Sequence, residues 1–324
     1  MNILVTGGAG YIGSVVAERL LELGHIPVIY DNLSEGHRDA VPFGAPLVVA
    51  ELDDSAALTD CLKRHSIKGV IHMAASALVG ESMANPSKYF RNNLVAGINL
   101  LDAMIACGVS RIVFSSSCAV YGDPETSPIA EDSHQRPTNP YGESKLAFEK
   151  VLRWYEIAYG LKFASLRYFN AAGATARLGE HHSPETHLIP NLLSCALGLM
   201  PHVDVFGDDY ATPDGTCVRD YVHVTDLADG HILALEALAK GSRVYNLGSG
   251  VGASVLEVIE SARAATGQPI SVRVTPRRPG DPAVLIANSD RIRRELKWEP
   301  NHQLDSIIES AWVWRQAHPT GYAA

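Results

Sequence analysis

A doubly wound α/β fold, with a mostly parallel sheet and a smaller C-terminal α/β lobe, is the expectation that three features set up. Short apolar runs alternate with stretches of helical period through the first half of the chain. A glycine-rich turn follows the first of those runs. The chain has 324 residues, and its 46% hydrophobic and 19% charged content is that of a folded protein rather than a disordered one. At about 100–200 residues per domain, that length suits two domains.

The elements follow in order. Asn2–Val5, Pro27–Tyr30, Leu47–Ala50, Gly69–Met73 and Arg111–Ser116 are largely apolar runs without strict alternation, as parallel strands covered on both faces require. Between them, Tyr11–Leu23, Ala56–His65 and Ser87–Cys107 carry helical spacing. A β-α-β-α order of this kind builds a parallel sheet with helices on both faces. A long helix over Tyr141–Tyr159 then leads to a strand over Lys162–Arg167. Beyond Asn170 the texture changes, with Gly173, Gly179, His181, His182 and Pro184 crowded together. Helices are expected near His187–Leu199 and Leu227–Ala239, and a strand at Arg243–Asn246. No Pro/Ser linker, internal repeat or low-complexity tract divides the chain. Residues 1–170 are therefore assigned to one domain and 171–324 to a smaller lobe, with some crossing of the chain between them.

Charge narrows the function. Lys and Arg number 27 against 36 Asp and Glu, a net charge of −9. Such a chain has no electrostatic footprint for nucleic acid or an anionic membrane, so an anionic substrate must be held by a few local arginines. No apolar run approaches the roughly 18 residues that cross a bilayer, and no basic segment precedes the first strand, so no signal peptide is expected. Cys61, Cys107, Cys118, Cys195 and Cys217 are widely spaced with no C-x-x-C, which points to reduced thiols in a cytoplasmic protein. The histidines lack H-E-x-x-H or a similar ligand spacing, so no metal is expected.

Gly7, Gly8, Gly10 and Gly13 follow the first strand and open the first helix, with Tyr11 and Ile12 between the last two. They satisfy G-x-G-x-x-G and the wider G-x-x-G-x-x-G. Glycine permits the tight turn and a close approach of backbone to a pyrophosphate, which the helix N-terminus then attracts. Asp31 ends the second strand. A carboxylate there accepts from both ribose hydroxyls and repels a 2′-phosphate, so NAD is expected over NADP in a Rossmann-like domain. Asn32 is a second ribose or adenine candidate. Arg38 is near enough to serve a phosphate, but a solvated loop arginine is the preferred reading.

Tyr141 and Lys145 form Tyr-x-x-x-Lys on an expected helix, where i, i+4 spacing puts both on one face. An ammonium beside a phenol favours the phenolate and makes Tyr141 a usable general base. Ser117 follows the strand ending in Ser115 and Ser116, at the carboxyl edge where α/β sheets bind ligands. Beside the Tyr/Lys pair it reads as a proton relay or substrate hydroxyl donor.

With these residues in place, the chain resembles the extended short-chain dehydrogenase/reductases and, within them, the UDP-glucose 4-epimerase family. The resemblance rests on Gly7–Gly13, Asp31–Leu33, Val79–Ser82, Asn92–Asn93, Ser115–Gly122, Asn139–Lys145, Leu166–Asn170, Phe206–Gly207, Asp214–His223 and Arg277–Asp281, of which Asp214–His223 discriminates best. It implies reversible C4 epimerisation of a UDP-sugar through a transient 4-keto sugar, with bound NAD recycled in each turnover. It implies Tyr141 as base, Lys145 as its electrostatic partner and nicotinamide-ribose ligand, and Ser117 as relay. Asn92 would lie beside the nicotinamide, and Glu51 falls where the family usually has an aspartate touching adenine. Tyr11, Ile12, Leu52, Met73, Ala74, Ala75, Ser115 and Tyr168 complete the implied NAD contacts. Asn170 and Arg219 would bind the diphosphate, Phe206 would pack on uracil, and Arg278 with Asp281 would hold phosphate and ribose. His187 and Leu188 join the implied substrate set, although His187 serves equally as a helix start. A homodimer through Ser87–Cys107 and Tyr141–Tyr159 is also implied.

Two positions depart from the family. Ala77 stands where some members carry a lysine near the cofactor, and Leu285 stands at the gatekeeper beside the sugar 2-substituent. Leucine leaves both hexoses and N-acetylhexosamines open; a UDP-pentose or UDP-uronic acid is a further alternative. A 4,6-dehydratase would need an acid–base pair after Ser117, where this chain has Cys118 and Ala119. A non-catalytic NAD sensor would have no need of Ser117, Tyr141 and Lys145 together.

Overall fold

The computed structural model describes residues 1–278 and 280–322; Pro279, inside the Arg277–Asp281 stretch, lies outside the described residues. In chain order the elements are β1 (Asn2–Thr6), α1 (Tyr11–Glu22), β2 (Ile26–Asp31), β3 (Leu47–Val49), α2 (Ser55–Arg64), β4 (Gly69–His72), α3 (Val79–Ala84), α4 (Pro86–Tyr89), α5 (Ala96–Ala106), β5 (Arg111–Ser117), α6 (Pro140–Tyr159), β6 (Lys162–Tyr168) and β7 (Asn170–Ala172). There follow α7 (Leu188–Ala196), β8 (Val203–Phe206), β9 (Val218–His223), α8 (Val224–Ala237), β10 (Arg243–Leu247), β11 (Gly252–Ser254), α9 (Val255–Thr266), β12 (Val272–Thr275), β13 (Val284–Leu285), α10 (Asp290–Leu296) and α11 (Leu304–Ala317).

Seven strands form one sheet in the order β10-β6-β5-β4-β1-β2-β3. The order runs outward from β1 in both directions, the signature of a doubly wound sheet, whose ligand crevice lies at the carboxyl ends where the order reverses. The β1–β2, β1–β4, β2–β3 and β4–β5 pairs are parallel, with Val5 opposite both Ile29 and Ile71. Ile3, Leu4, Val5, Val28, Ile29, Val70, Ile71, Ile112 and Val113 are fully buried, so helices cover both faces, and that is why these strands do not alternate.

The chain divides into two compact units. The first holds 1–122, 134–167 and 228–245; the second holds 123–133, 168–227 and 246–324. One break falls at 167/168, and the chain crosses between the units elsewhere: 123–133 joins the second, while most of α8 and of β10 belongs to the first, whose sheet takes its edge strand there. In the second unit, β9 is flanked by β11 and β13 and also pairs with β7, while β8 pairs with β12. Its core gathers Ile189, Leu192, Val205, Val258, Ile259 and Ile308. Trp298 and Trp314 are buried and Trp312 is half-buried, and the Trp298 indole donates to Asp226 O at 2.8 Å.

The helix expected over Ser87–Cys107 is interrupted. Between α4 and α5, Phe90–Val95 is a π-helical turn. Such bulges favour functional positions, and this one carries Asn92 and Asn93. All five cysteines are free thiols. Among the described residues, no helix is long and apolar enough to cross a membrane.

Candidate active site

In the first unit, β1 delivers the chain into Gly7, whose φ of +69° suits glycine. A Cβ there would sit 2.6 Å from Ala74 N, and one on Gly13 would sit 2.1 Å from Gly7 O. Bare backbone is thus required at the turn and at the helix that presses on it. Gly10 precedes α1 with no side-chain cap, and the first turn of α1 holds no acidic residue, the arrangement that leaves a helix N-terminus to an external anion. Met73, Ala74 and Ala75 leave the carboxyl end of β4 beside this turn. The cradle fits a dinucleotide pyrophosphate.

Asp31 closes β2, buried, its Oδ2 accepting from Ala9 N at 2.9 Å and its Oδ1 from Leu33 N at 2.8 Å. Burial raises its carboxyl above the ordinary range, against the pull of these two amides. Asn32 Nδ2 donates to both oxygens of Glu51 at 3.0 Å, so the position where an aspartate was expected holds a glutamate anchored by its neighbour. Leu52 beside it is buried.

The π-helical turn explains the loop after β4. Asn93 accepts from Ser76 N at 2.8 Å and donates to Ser76 O and Ser144 Oγ, both at 3.0 Å. Asn92 Nδ2 donates to Ser76 Oγ at 2.9 Å. The two asparagines tie the Ser76 loop to the helix that carries Tyr141 and Lys145. The sequence marked Asn92 but not this clamp.

Helix α6 starts with Asn139 accepting from Gly142 N at 2.9 Å and Pro140 in its first turn. A Cβ on Gly142 would sit 2.5 Å from Ala119 O, so the helix start lies against the turn that follows Ser117. Ser117 Oγ accepts from Ala119 N at 3.2 Å and caps that turn, leaving its proton to donate. Lys145 is buried; its Nζ donates to Ser115 O at 2.9 Å and lies 5.7 Å from the Tyr141 ring centre. Burial pushes the Lys145 ammonium down to about 7. Tyr141 is half-buried, edge-on to Tyr89 at 6.4 Å. His72 is buried at the end of β4 with its Nδ1 2.7 Å from Thr6 Oγ1, and burial followed by the charge of Lys145 pushes it down to about 3, a neutral ring. Unforeseen as well is a buried anchor one turn along α6. Glu149 takes a bidentate contact from Arg167 at 2.9 and 2.6 Å and a hydrogen bond from Ser116 at 2.6 Å.

Tyr11 and Ile12 open α1 in the first unit, and Arg38 begins a short turn after β2; the remaining expected residues belong to the second unit. Tyr168 ends β6 and Asn170 opens β7, in register with Tyr221 of β9. Arg219 of β9 is nine-tenths buried and ion-pairs with Asp281. Leu285 on β13 stands opposite Arg219. The exposed Arg278 guanidinium lies 3.8 Å over the Phe206 ring. Arg219 with Asp281, and Arg278 with Phe206, are thus brought together as pairs. His187 precedes α7 and Leu188 begins it, but the His187 ring turns to Glu180 at 2.7 Å and Glu185 at 3.3 Å. Glu180 and His182 complete that cluster, which spacing alone did not reveal.

The chain matches the model of the NAD dependent epimerase/dehydratase family over residues 3–248. It is 50% identical to a UDP-glucose 4-epimerase of Lacticaseibacillus casei, covering 99% of each chain. A Bifidobacterium longum UDP-glucose 4-epimerase, solved in complex with NAD+ and UDP, superposes with a TM-score of 0.96 at 38% identity, covering 99% of this chain and 100% of that one. The UDP-Glc/GlcNAc 4-epimerase of Campylobacter jejuni superposes with a TM-score of 0.86 at 40% identity, covering 98% and 99%.

Proposed function

Because the chain belongs to the NAD dependent epimerase/dehydratase family, we propose that it is an NAD-dependent UDP-sugar 4-epimerase acting on UDP-glucose and UDP-galactose. The observation that carries the reading is the Tyr141/Lys145 pair, fixed on α6 by the buried contact of Lys145 with Ser115 O beside the Ser117 turn. Full-length relatives at 50% identity supply the sugar.

When bound, NAD supplies a reversible hydride acceptor for sugar C4. Gly7, Gly10 and Gly13 with the start of α1 receive its pyrophosphate, and Asp31 receives the adenosine ribose. Tyr141 takes the 4-hydroxyl proton and returns it after the 4-keto sugar has presented its other face. Ser117 donates to the sugar oxygen and Lys145 favours the phenolate. Arg219 and Arg278 hold the diphosphate while the hexose turns, with charge-assisted hydrogen bonds. Phe206 packs on uracil, and Asn170, His187, Leu188 and Asp281 complete the substrate set.

Leu285 carries the second reading, in which N-acetylhexosamine substrates are accepted as well. It is intermediate in bulk between tyrosine and serine and stands opposite Arg219. The chain is further read as a cytoplasmic homodimer. Trp154, Ile157 and Tyr159 on α6 and Val95 ahead of α5 are exposed apolar residues suited to covering by a second copy.

Purified protein incubated with UDP-galactose and no added cofactor should yield UDP-glucose, followed by the anomeric proton signals in NMR. The same assay with UDP-N-acetylgalactosamine reads what Leu285 allows. A dehydrated 4-keto product would replace the epimerase reading with a dehydratase.

A further inference from the structure

We propose that Glu180, His182, Glu185 and His187 bind a divalent transition-metal ion of the zinc class. Two imidazoles and two carboxylates converge, one ligand atom from each and all within 4.8 Å of one another. His182 Nδ1 lies 3.4 Å from Glu180 Oε1 and 3.5 Å from Glu185 Oε2, and His187 Nδ1 lies 3.3 Å from Glu185 Oε1. A tetrahedral ion with bonds of roughly 2.0–2.1 Å sets its ligands about 3.4 Å apart. The two Glu185 distances run to different oxygens, so whichever one ligates, two nitrogen–oxygen separations already have that length. His187 Nδ1 to Glu180 Oε1, at 2.7 Å, needs a small opening.

The donor set selects the ion. Imidazole nitrogen disfavours magnesium and calcium, which take oxygen, and suits zinc and its first-row neighbours. Two carboxylates cancel a divalent charge. The neighbouring cation Arg315 donates to Ser194 Oγ at 3.1 Å, which gives its guanidinium a partner apart from these carboxylates. His181 lies outside this group of four, and its Nδ1 accepts from Tyr322 N at 3.2 Å.

Four protein ligands close the coordination sphere, which makes the site structural rather than catalytic. All four come from one short segment that ends where α7 begins. An ion there would fix that segment and the entry into α7 at Leu188. The local spacing E-x-H-x-x-E-x-H follows no helix period, and it becomes a site only because the segment folds back on itself.

The test is direct titration. Metal-free protein is titrated with Co2+ and read by visible absorption, then with Zn2+ in competition. The expected result is one ion per chain, bands of tetrahedral intensity, and displacement by Zn2+. His182→Ala and Glu185→Gln should weaken binding by at least about 100-fold, the upper end of what losing a mere outer-shell partner costs. Wild-type protein that takes up no stoichiometric Co2+ or Zn2+ overturns the proposal, as do folded variants that bind as wild type does. Circular dichroism checks the variants, and the wild-type titration decides alone if neither folds. Neither UDP-sugar nor NAD enters the measurement, so its failure is separate from failure of the epimerase reading.

Discussion

The two units hold their charges in opposite ways. In the first, the charges of the candidate site are buried and fixed by backbone: Lys145 on Ser115 O, and Asp31 on the amides of Ala9 and Leu33. In the second, Arg278 lies exposed over Phe206, and Arg273 and Arg277 pair at the surface with Asp204 and Asp209. Among these arginines Arg219 is the one deeply placed. A proton-transfer pair has to be set within tenths of an ångström and shielded from water, so it sits on a helix and a strand end. A sugar nucleotide whose hexose must turn is better held by loop cations at its diphosphate. Substitutions in the first unit should therefore strike turnover and stability, and those in the second should strike binding.

The largest effect tests the first half of that contrast. Tyr141→Phe keeps the ring and its edge contact with Tyr89 but removes the proton carrier. Turnover should fall by about 10²–10⁴-fold, with UDP affinity measured by calorimetry almost unchanged. Near-full activity would remove Tyr141 from the chemistry.

Next comes the burial of Lys145, which gives a pH signature. An unfolded lysine titrates near 10.5, while in the fold this one titrates near 7. Between those values the unfolded chain holds the extra proton, so stability should rise as pH climbs through the window. Below 7 both states are protonated, and the cost of burying the charge is present in full. Guanidinium unfolding of wild type and Lys145→Met at pH 7 and about 9.5 should show a gap that narrows or reverses in favour of the wild type by a few kcal/mol. Parallel curves would mean that the ammonium is not depressed.

What was legible in the sequence follows the same division. Gly7–Gly13 and Tyr141/Lys145 are local patterns, with the chemistry and the element in one short stretch, so spacing sufficed. The Asn93–Ser76 clamp and the Glu149–Arg167 anchor join distant segments, and neither partner looks unusual alone. The π-helical turn after α4 was invisible because its residues keep helical character. The return of most of α8 and of β10 to the first unit is a matter of which edge the sheet needs, and no run of residues encodes that by itself. His187 was readable as a helix start but not as a member of a cluster, since its partners meet it through a loop without period.

Arg219→Ala tests the second unit where it most resembles the first. The buried guanidinium supplies charge-assisted hydrogen bonds, worth about 1.5–3 kcal/mol each. UDP-sugar KM should rise by about 10–100-fold with a smaller change in kcat. A loss confined to kcat would move Arg219 to the reacting end and weaken the division between the units.

Arg278→Gln should have the smallest effect, and it sharpens the comparison most. Its guanidinium is exposed and stacked on Phe206, a contact worth about 0.5–1 kcal/mol in solvent. Its pull on a diphosphate is weakened by the same water and salt. The expected loss in UDP affinity is therefore only about two- to five-fold, and it should shrink further as ionic strength rises. The effect of Tyr141→Phe on turnover should not respond to salt, because its cause is a missing proton. If Arg278→Gln instead costs as much as Arg219→Ala at high salt, Arg278 is desolvated when substrate binds. The second unit would then reach on ligation the buried, fixed state that the first unit holds from the start.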